Sequence, residues 1–116
     1  MSIYFIAKDG HDLWNPAAVT ARLFWDQAES VGRIISIETG LGPIISDEVI
    51  VDDARFKLFV GAFADFILKL DRESGGRALA ETCFGIAGAL AQKLGGISFS
   101  ELELVRLIEG GRRIVG

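Results

Sequence analysis

The fold of this chain is decided by residues 53–70, DARFKLFVGAFADFILKL. The apolar side chains of this stretch recur at spacings of three and four residues, which places them on one broad face of an α-helix: Phe56, Phe59, Val60, Phe63, Phe66, Ile67 and Leu70. Asp52 or Asp53 precedes the stripe and suits the N-cap. We therefore predict a helix over about residues 53–71, with Phe63 fully buried.

The region before this helix predicts a β-hairpin and a first helix. Residues 3–8 are rich in β-branched and aromatic types, and the following Asp9-Gly10 is typical of a type I′ turn, so the hairpin covers 3–14. Asn15-Pro16 fits an N-cap followed by proline at the first helical position. The helix then runs over about 16–35, where Val19 and Leu23 widen its apolar stripe.

Residues 36–51 are predicted as a shaped loop with Thr39-Gly40-Leu41-Gly42-Pro43 at its centre. Residues 49–51 suit a short strand that pairs with the hairpin. Another helix is predicted over about 77–94, and its small residues would let a neighbouring helix approach closely, so it should be the central helix. Two capping-box patterns, at 98–101 and 100–103, favour a short fourth helix over about 100–109.

These elements predict one domain over residues 1–116, of the α+β class and mainly α: an N-terminal β-hairpin plus three to four packed helices. Half of the 116 residues are hydrophobic and 24% are charged, which excludes an intrinsically disordered chain. The most apolar windows, 58–68 and 82–91, are about half as long as the ~20 residues that span a bilayer. We expect no membrane partner and a cytoplasmic location.

Charge argues against nucleic-acid binding, because 16 acidic and 12 basic residues give a net charge of −4 and no basic stripe. No Lys or Arg lies between Arg33 and Arg55, whereas five acidic residues do: Glu38, Asp47, Glu48, Asp52 and Asp53. Residues 38–53 are therefore a candidate surface for a basic partner. The alternative is a solvated loop whose acids begin a helix.

One cysteine and one histidine leave little catalytic chemistry. They cannot supply the three or four ligands of a usual zinc site, and no disulfide can form within the chain. Cys83 is expected to be a buried, inert thiol, and His11 lies beside a hairpin turn, far from a recognisable nucleophile. The glycines at 40 and 42 lack the strand, lysine and spacing of a phosphate loop. No cofactor or metal is expected.

Carboxylates and tryptophans provide the remaining candidates. If Asp47 or Glu48 points inward, burial would raise its pKa and prepare it for proton transfer; otherwise both are solvated or capping groups. With His11, they are the catalytic candidates, although no recognisable catalytic motif is present. Trp14 and Trp25 are either exposed interface anchors or residues packed at the core edge.

Three short motifs carry a resemblance to a family. Leu13-Trp14-Asn15-Pro16 at the start of a helix, Thr39-Gly40-Leu41-Gly42-Pro43, and Ser46-Asp47-Glu48 before a second helix occur in this order. The chain resembles, over roughly residues 3–95, a family of short uncharacterised actinobacterial proteins, one of the domains of unknown function. The resemblance implies a similar fold and no particular chemistry.

Two hypotheses about function follow. In the first, the chain is a small protein-binding or accessory factor, of inhibitor or immunity type, that acts through helix 1 and the acidic loop 38–53 using Trp14, Trp25, Glu38, Asp47 and Glu48. A homodimer is expected, because the second helix carries an excess of phenylalanine. In the second, it is a small-molecule binder or small biosynthetic enzyme with a pocket between the hairpin and the second and third helices, which uses Trp14, Asp47 or Glu48, with a carboxylate as the acid or base.

Overall fold

The computed structural model describes residues 1–116 and contains three strands and four helices. In chain order they are β1 Tyr4–Ala7, β2 Asp12–Trp14, α1 Ala18–Ile35, β3 Glu48–Val51, α2 Asp53–Lys69, α3 Gly75–Leu94 and α4 Leu102–Val115. The predicted class is confirmed: the protein is α+β and mainly α.

The N-terminal strands form the predicted hairpin with a different turn. Gly10 has a φ of +92°, whereas Asp9 is not in the left-handed region, so the turn is not type I′. The Gly10 amide donates to the Ala7 carbonyl at 2.9 Å, and the Ala7 amide donates to the His11 carbonyl at 2.9 Å. Lys8, Asp9 and Gly10 therefore lie between the hydrogen-bonded Ala7 and His11, and only Gly10 needs the conformational freedom of glycine.

The predicted strand at 49–51 is confirmed, and it begins one residue earlier, at Glu48. It pairs in parallel with β1, from Tyr4 opposite Glu48 to Ala7 opposite Val51, so the strand order is β2-β1-β3. Because side chains alternate along a strand, one sheet face turns toward the helices and buries Phe5, Val49 and Val51.

Helix α2 contributes the phenylalanines at the centre of the core. Phe56, Phe59 and Phe63 are fully buried, as the spacing predicts. The Phe63 ring lies 5.6 Å from that of Phe59 and 5.3 Å from that of Phe84 on α3, measured between centroids. This aromatic chain joins α2 to α3.

Helix α3 is the central helix, because all residues from Cys83 to Ala91 are buried. Its small residues allow the predicted close approach: an added Cβ at Gly85 or Gly111 would overlap the backbone of the other helix. Helix α4 is longer than the predicted 100–109, and its cap is Glu101 with no side-chain cap hydrogen bond. The helix continues through Gly110-Gly111, and Gly111 makes the close contact with α3.

Three other helix boundaries also differ from the prediction. Helix α1 begins at Ala18 rather than about residue 16, and the Pro16 carbonyl accepts a hydrogen bond from the Ile3 amide at 3.0 Å instead of starting the helix. Helix α3 begins at Gly75, because the Ser74 hydroxyl accepts from the Arg77 amide at 3.1 Å. Helix α2 ends at Lys69, and its predicted N-cap, Asp52, is confirmed.

Candidate binding surface

The outward face of α1 exposes large apolar side chains. Val19 is 71% exposed, Leu23 60% and Ile34 66%, and their spacings of four and eleven residues place them on one side of the helix. Val19 and Leu23 therefore widen the apolar stripe of α1 on its exposed side and not within the core. The core side of α1 consists of other residues, among them Phe24 and Ala28, which are buried.

Two adjoining clefts lie between this face and α3. The first, of about 330 Å³, is closed at one end by Phe66 and Leu70 of α2. The second, of about 420 Å³, reaches Ile114 of α4. Both are lined by Gln27 and Leu79, so they form one continuous depression, named here the α1–α3 groove. Leu79 is 75% exposed at its middle.

The floor of the α1–α3 groove contains the single thiol of the chain. Cys83 lines the first cleft and is buried. Burial raises the pKa of Cys83 to about 12, because the thiolate loses its solvation. The thiol is therefore protonated at neutral pH and does not provide a nucleophile, as the sequence predicted.

The two tryptophans occupy different positions beside α1. Trp14 is buried, with its ring centroid 5.3 Å from that of Phe5 and 5.7 Å from that of Phe24, so the expectation of an exposed anchor is not met there. Trp25 is half-buried, and its indole N–H donates to the Gly42 carbonyl at 2.9 Å. Both side chains pack at the edge of the core, and Trp25 holds the 39–42 loop against α1.

The loop that contains Thr39-Gly40-Leu41-Gly42-Pro43 is built into the fold. The buried Thr39 hydroxyl donates to the Glu29 carboxylate on α1 and accepts from the Leu41 amide at 3.0 Å. Gly40 has a φ of +79°, and an added Cβ would lie within 2.9 Å of the Phe56 Cα. These contacts explain why this loop needs a glycine at position 40.

The fold neutralises much of the acidic segment 38–53 with bases from outside it. Glu38 pairs with Arg55 at 3.0 Å, Asp52 with Lys8 at 2.8 Å, and Asp53 with Lys57 at 2.6 Å. Asp47 and Glu48 are exposed and form no ion pair. The surface available to a basic partner is therefore smaller than the sequence indicates.

A polar cleft of about 450 Å³ lies at the carboxyl ends of β1 and β3, lined by residues that include Glu29, Glu38, Asp52, Arg55 and Lys8. The hydrogen bond from Lys8 and the Arg55 amide lower the pKa of Asp52. This direction is opposite to the raised pKa that prepares a carboxyl group as a general acid. Neither Trp14, Asp47 nor Glu48 lines this cleft.

The three catalytic candidates lie at exposed positions on turns and strand ends. Ser46 and Asp47 both have positive φ, 51° and 62°, and form a tight turn in which the Ile45 and Glu48 amides donate to each other's carbonyls at 3.0 Å. Asp47 is thus in a turn rather than an extended strand. His11 is exposed, with Nδ1 3.9 Å from the Asp9 carboxylate. None of the three is buried as a pKa-tuned proton-transfer group would be.

A buried arginine that the sequence analysis missed connects three helices. Arg77 of α3 donates to the Leu70 carbonyl at the end of α2 at 3.1 Å, and to the Glu103 carboxylate of α4. Its Nε lies 3.5 Å from the Glu81 carboxylate. Each partner satisfies part of the guanidinium, so the group is structural. The arginine is the first residue of the helix predicted over about 77–94, a position that gave no signal of burial.

Comparison with known families assigns the chain to a family. A family model described as "Family of unknown function (DUF6086)" matches residues 1–107. The chain belongs to this family. The match agrees with the resemblance to an uncharacterised domain and extends it to include the first part of α4. The matched residues of this DUF6086 domain contain every residue that lines the α1–α3 groove except Ile114. No curated protein and no solved structure matches the chain.

Proposed function

We propose that this DUF6086 domain is a non-enzymatic protein-binding or accessory domain, of inhibitor or immunity type, that acts through α1. One observation carries the proposal: Val19, Leu23 and Ile34 are exposed on one face of α1 beside the apolar α1–α3 groove. Scattered apolar residues are normal on protein surfaces, whereas a contiguous apolar patch is typical of an interaction site.

The contribution of the acidic loop is limited to its unpaired residues. Asp47 and Glu48 are exposed next to β3 and form the part of 38–53 that a partner can contact without breaking an ion pair. Trp25 fixes the loop at Gly42 and is not part of the apolar α1 face, because it lies about 160° from Leu23 around the helix. The polar loop would therefore add orientation to a contact that the apolar face of α1 stabilises.

The partner is another protein or a second copy of this chain. The prediction of a homodimer rested on the phenylalanines of α2, but Phe56, Phe59 and Phe63 are buried within the chain. Support for self-association therefore comes from the exposed face of α1 instead. We also propose that the protein is cytoplasmic and of actinobacterial origin. No helix combines the length and the apolar character needed to cross a bilayer.

Small-molecule binding or catalysis is the alternative, and the cleft of about 450 Å³ is the observation that favours it, although this cleft lies beside the 38–42 loop rather than between the hairpin and the second and third helices. A thermal-shift panel of small amines and carboxylic acids tests this alternative. Glu29 lines the cleft, and its carboxylate accepts a hydrogen bond from Thr39. If one compound stabilises wild type but not Glu29→Gln, the result would favour small-molecule binding. A panel without any stabilising compound would count against it.

Site-specific photocrosslinking tests the protein-binding proposal. A photoreactive amino acid replaces Leu23 on the α1 face or, as a matched control, Leu58, which is 72% exposed on α2 and lines none of the clefts described here. In cells of the source organism we expect a discrete adduct from position 23 and none from 58. The crosslinked protein, once identified and purified, should bind the wild-type domain directly. Equal labelling from both positions would contradict the proposal.

A further inference from the structure

The basic residues of this domain divide into two groups. Seven of the twelve are held by a side chain or carbonyl of the same chain: Lys8, Arg55, Lys57, Arg72, Arg77, Lys93 and Arg112. The other five form no ion pair and no side-chain hydrogen bond: Arg22, Arg33, Lys69, Arg106 and Arg113.

One of the five free bases lines an apolar surface, and helical spacing places the other four beside it. Arg106 lines a cleft of about 330 Å³ that shares Ala78, Thr82 and Ile114 with the α1–α3 groove and continues it toward α4. Each of the other four bases lies three residues after a residue of this surface on the same helix, and residues at this spacing are neighbours on a helix. The pairs are Val19 and Arg22, Ser30 and Arg33, Phe66 and Lys69, and Gly110 and Arg113.

The edge of the groove is therefore positively charged on an acidic chain. Three unpaired acids also stand at this edge: Asp26 after Leu23 and Glu109 after Arg106, by the same helical spacing, and Glu73 in the turn that follows Leu70. Five bases against three acids give this edge an excess of two positive charges, whereas the whole chain has a net charge of −4. A partner that buries the groove therefore meets a positive rim.

We propose that the α1–α3 groove binds an amphipathic helix of another protein, with an apolar stripe flanked by acidic residues. The groove follows α1 from Thr20 to Ile34, about 21 Å at 1.5 Å per residue, which accommodates about four helical turns. Apolar side chains of the partner would enter the two clefts on either side of Leu79, and its carboxylates would meet the free arginines and lysine. This inference rests on the proposed function and specifies its partner.

The positive rim disfavours a second copy of this chain as the occupant. A two-fold dimer through the same face would bring two sets of free bases together, because each protomer presents the same patch. The depressions beside Leu79 and Gln27 are shaped to receive side chains, which favours a protein helix over a lipid surface. Self-association and membrane binding are separate outcomes of the test.

Fluorescence anisotropy with synthetic helical peptides tests the inference. The probe is a peptide of about 18 residues, with leucines three and four residues apart along one face and glutamates on both sides of that face. One control peptide carries lysines in place of the glutamates, and another carries glutamines in place of the leucines. We expect saturable binding of the acidic probe at low salt, at least tenfold weaker binding of either control, and weakening of the probe by salt.

Variants of the full chain locate the binding site. Leu79→Glu should weaken probe binding about tenfold or more, whereas the control Leu58→Glu, at a similarly exposed leucine on α2, should change it less than about twofold. Arg33→Gln should weaken binding, and Asp26→Asn should strengthen it, because these changes alter the rim charge in opposite directions. Circular dichroism verifies that each variant is folded.

Four results would overturn the inference. Equal affinity for the acidic and lysine peptides would remove the charge argument, and equal effects of Leu79→Glu and Leu58→Glu would remove the groove. Sedimentation that shows a dimer dissociated by Leu79→Glu, or binding to anionic but not neutral vesicles in place of the peptide, would replace the helix with another occupant. If crosslinking from position 23 still captures a partner, the proposed function stands and only the acidic helix fails.

Discussion

The two sides of α3 are packed to different degrees. Toward α4, Gly85 and Gly111 bring the two backbones into contact, and Arg77 adds a buried bond to Glu103. Toward α1, the helices leave the α1–α3 groove between them, and Leu79 is mostly exposed. Because the chain packs one side of its central helix this closely, a shortage of apolar residues does not explain why the other side is open. The difference supports our proposal that the α1 side is the surface for a partner.

The largest expected difference concerns a core side chain and a groove side chain. Phe63→Ala removes a fully buried ring that contacts Phe84, so it should lower the free energy of unfolding by about 3–5 kcal/mol. Leu79→Ala removes an exposed side chain and should change it by less than about 1 kcal/mol. Urea unfolding measures both. Similar losses would mean that Leu79 is part of the core and that the groove is closed in solution.

A matched pair of glycines sharpens the comparison on the filled side. Gly111→Ala places a methyl group against the Gly85 backbone and should destabilise the protein by about 1–3 kcal/mol, because the two helices must separate. Gly110→Ala has open space and should stabilise α4 by about 0.5–1 kcal/mol, since alanine is the better helix former. Opposite shifts in the melting temperature are expected, and shifts of the same sign would contradict the close contact.

The floor of the groove should respond to alkaline pH. Because the folded pKa of Cys83 is raised from 9.0 to about 12, its contribution to stability is complete below pH 9 and decreases as the pH rises toward 12. Between pH 7 and pH 10, the free energy of unfolding of wild type should fall by about 1 kcal/mol more than that of Cys83→Ala. Urea unfolding at both pH values measures the change. Parallel pH profiles would show that solvent reaches the thiol in the native state.

Much of the fold could be predicted because it depends on local spacing. The stripe of Phe56, Phe59 and Phe63 follows the helical period, and the strand at 49–51 is a short β-branched run between turn residues. The end of α4 could not be predicted, since Gly110-Gly111 is typical of a helix end. The role of Gly111 depends on Gly85, which is 26 positions away in the sequence and adjacent in the fold.

The candidate surface was predicted only in part. The sequence indicated α1 and placed Leu23 in its apolar stripe, but periodicity identifies an apolar face without showing whether a neighbour covers it. It also indicated a free acidic segment, although Lys8, Arg55 and Lys57 lie outside 38–53 and pair with three of its acids. Composition within a segment cannot show which charges the fold brings to it.

Amide hydrogen exchange compares the two sides of α3 directly in one experiment. The full chain is measured alone and with saturating acidic helical peptide. We expect slower exchange in α1 over residues 20–34 and in the first half of α3, since these backbones border the groove, and a smaller change in α4 over residues 102–109. Slower exchange confined to the 38–42 loop, or unchanged exchange throughout at saturating peptide, would contradict the claim that the open side of α3 is the binding surface.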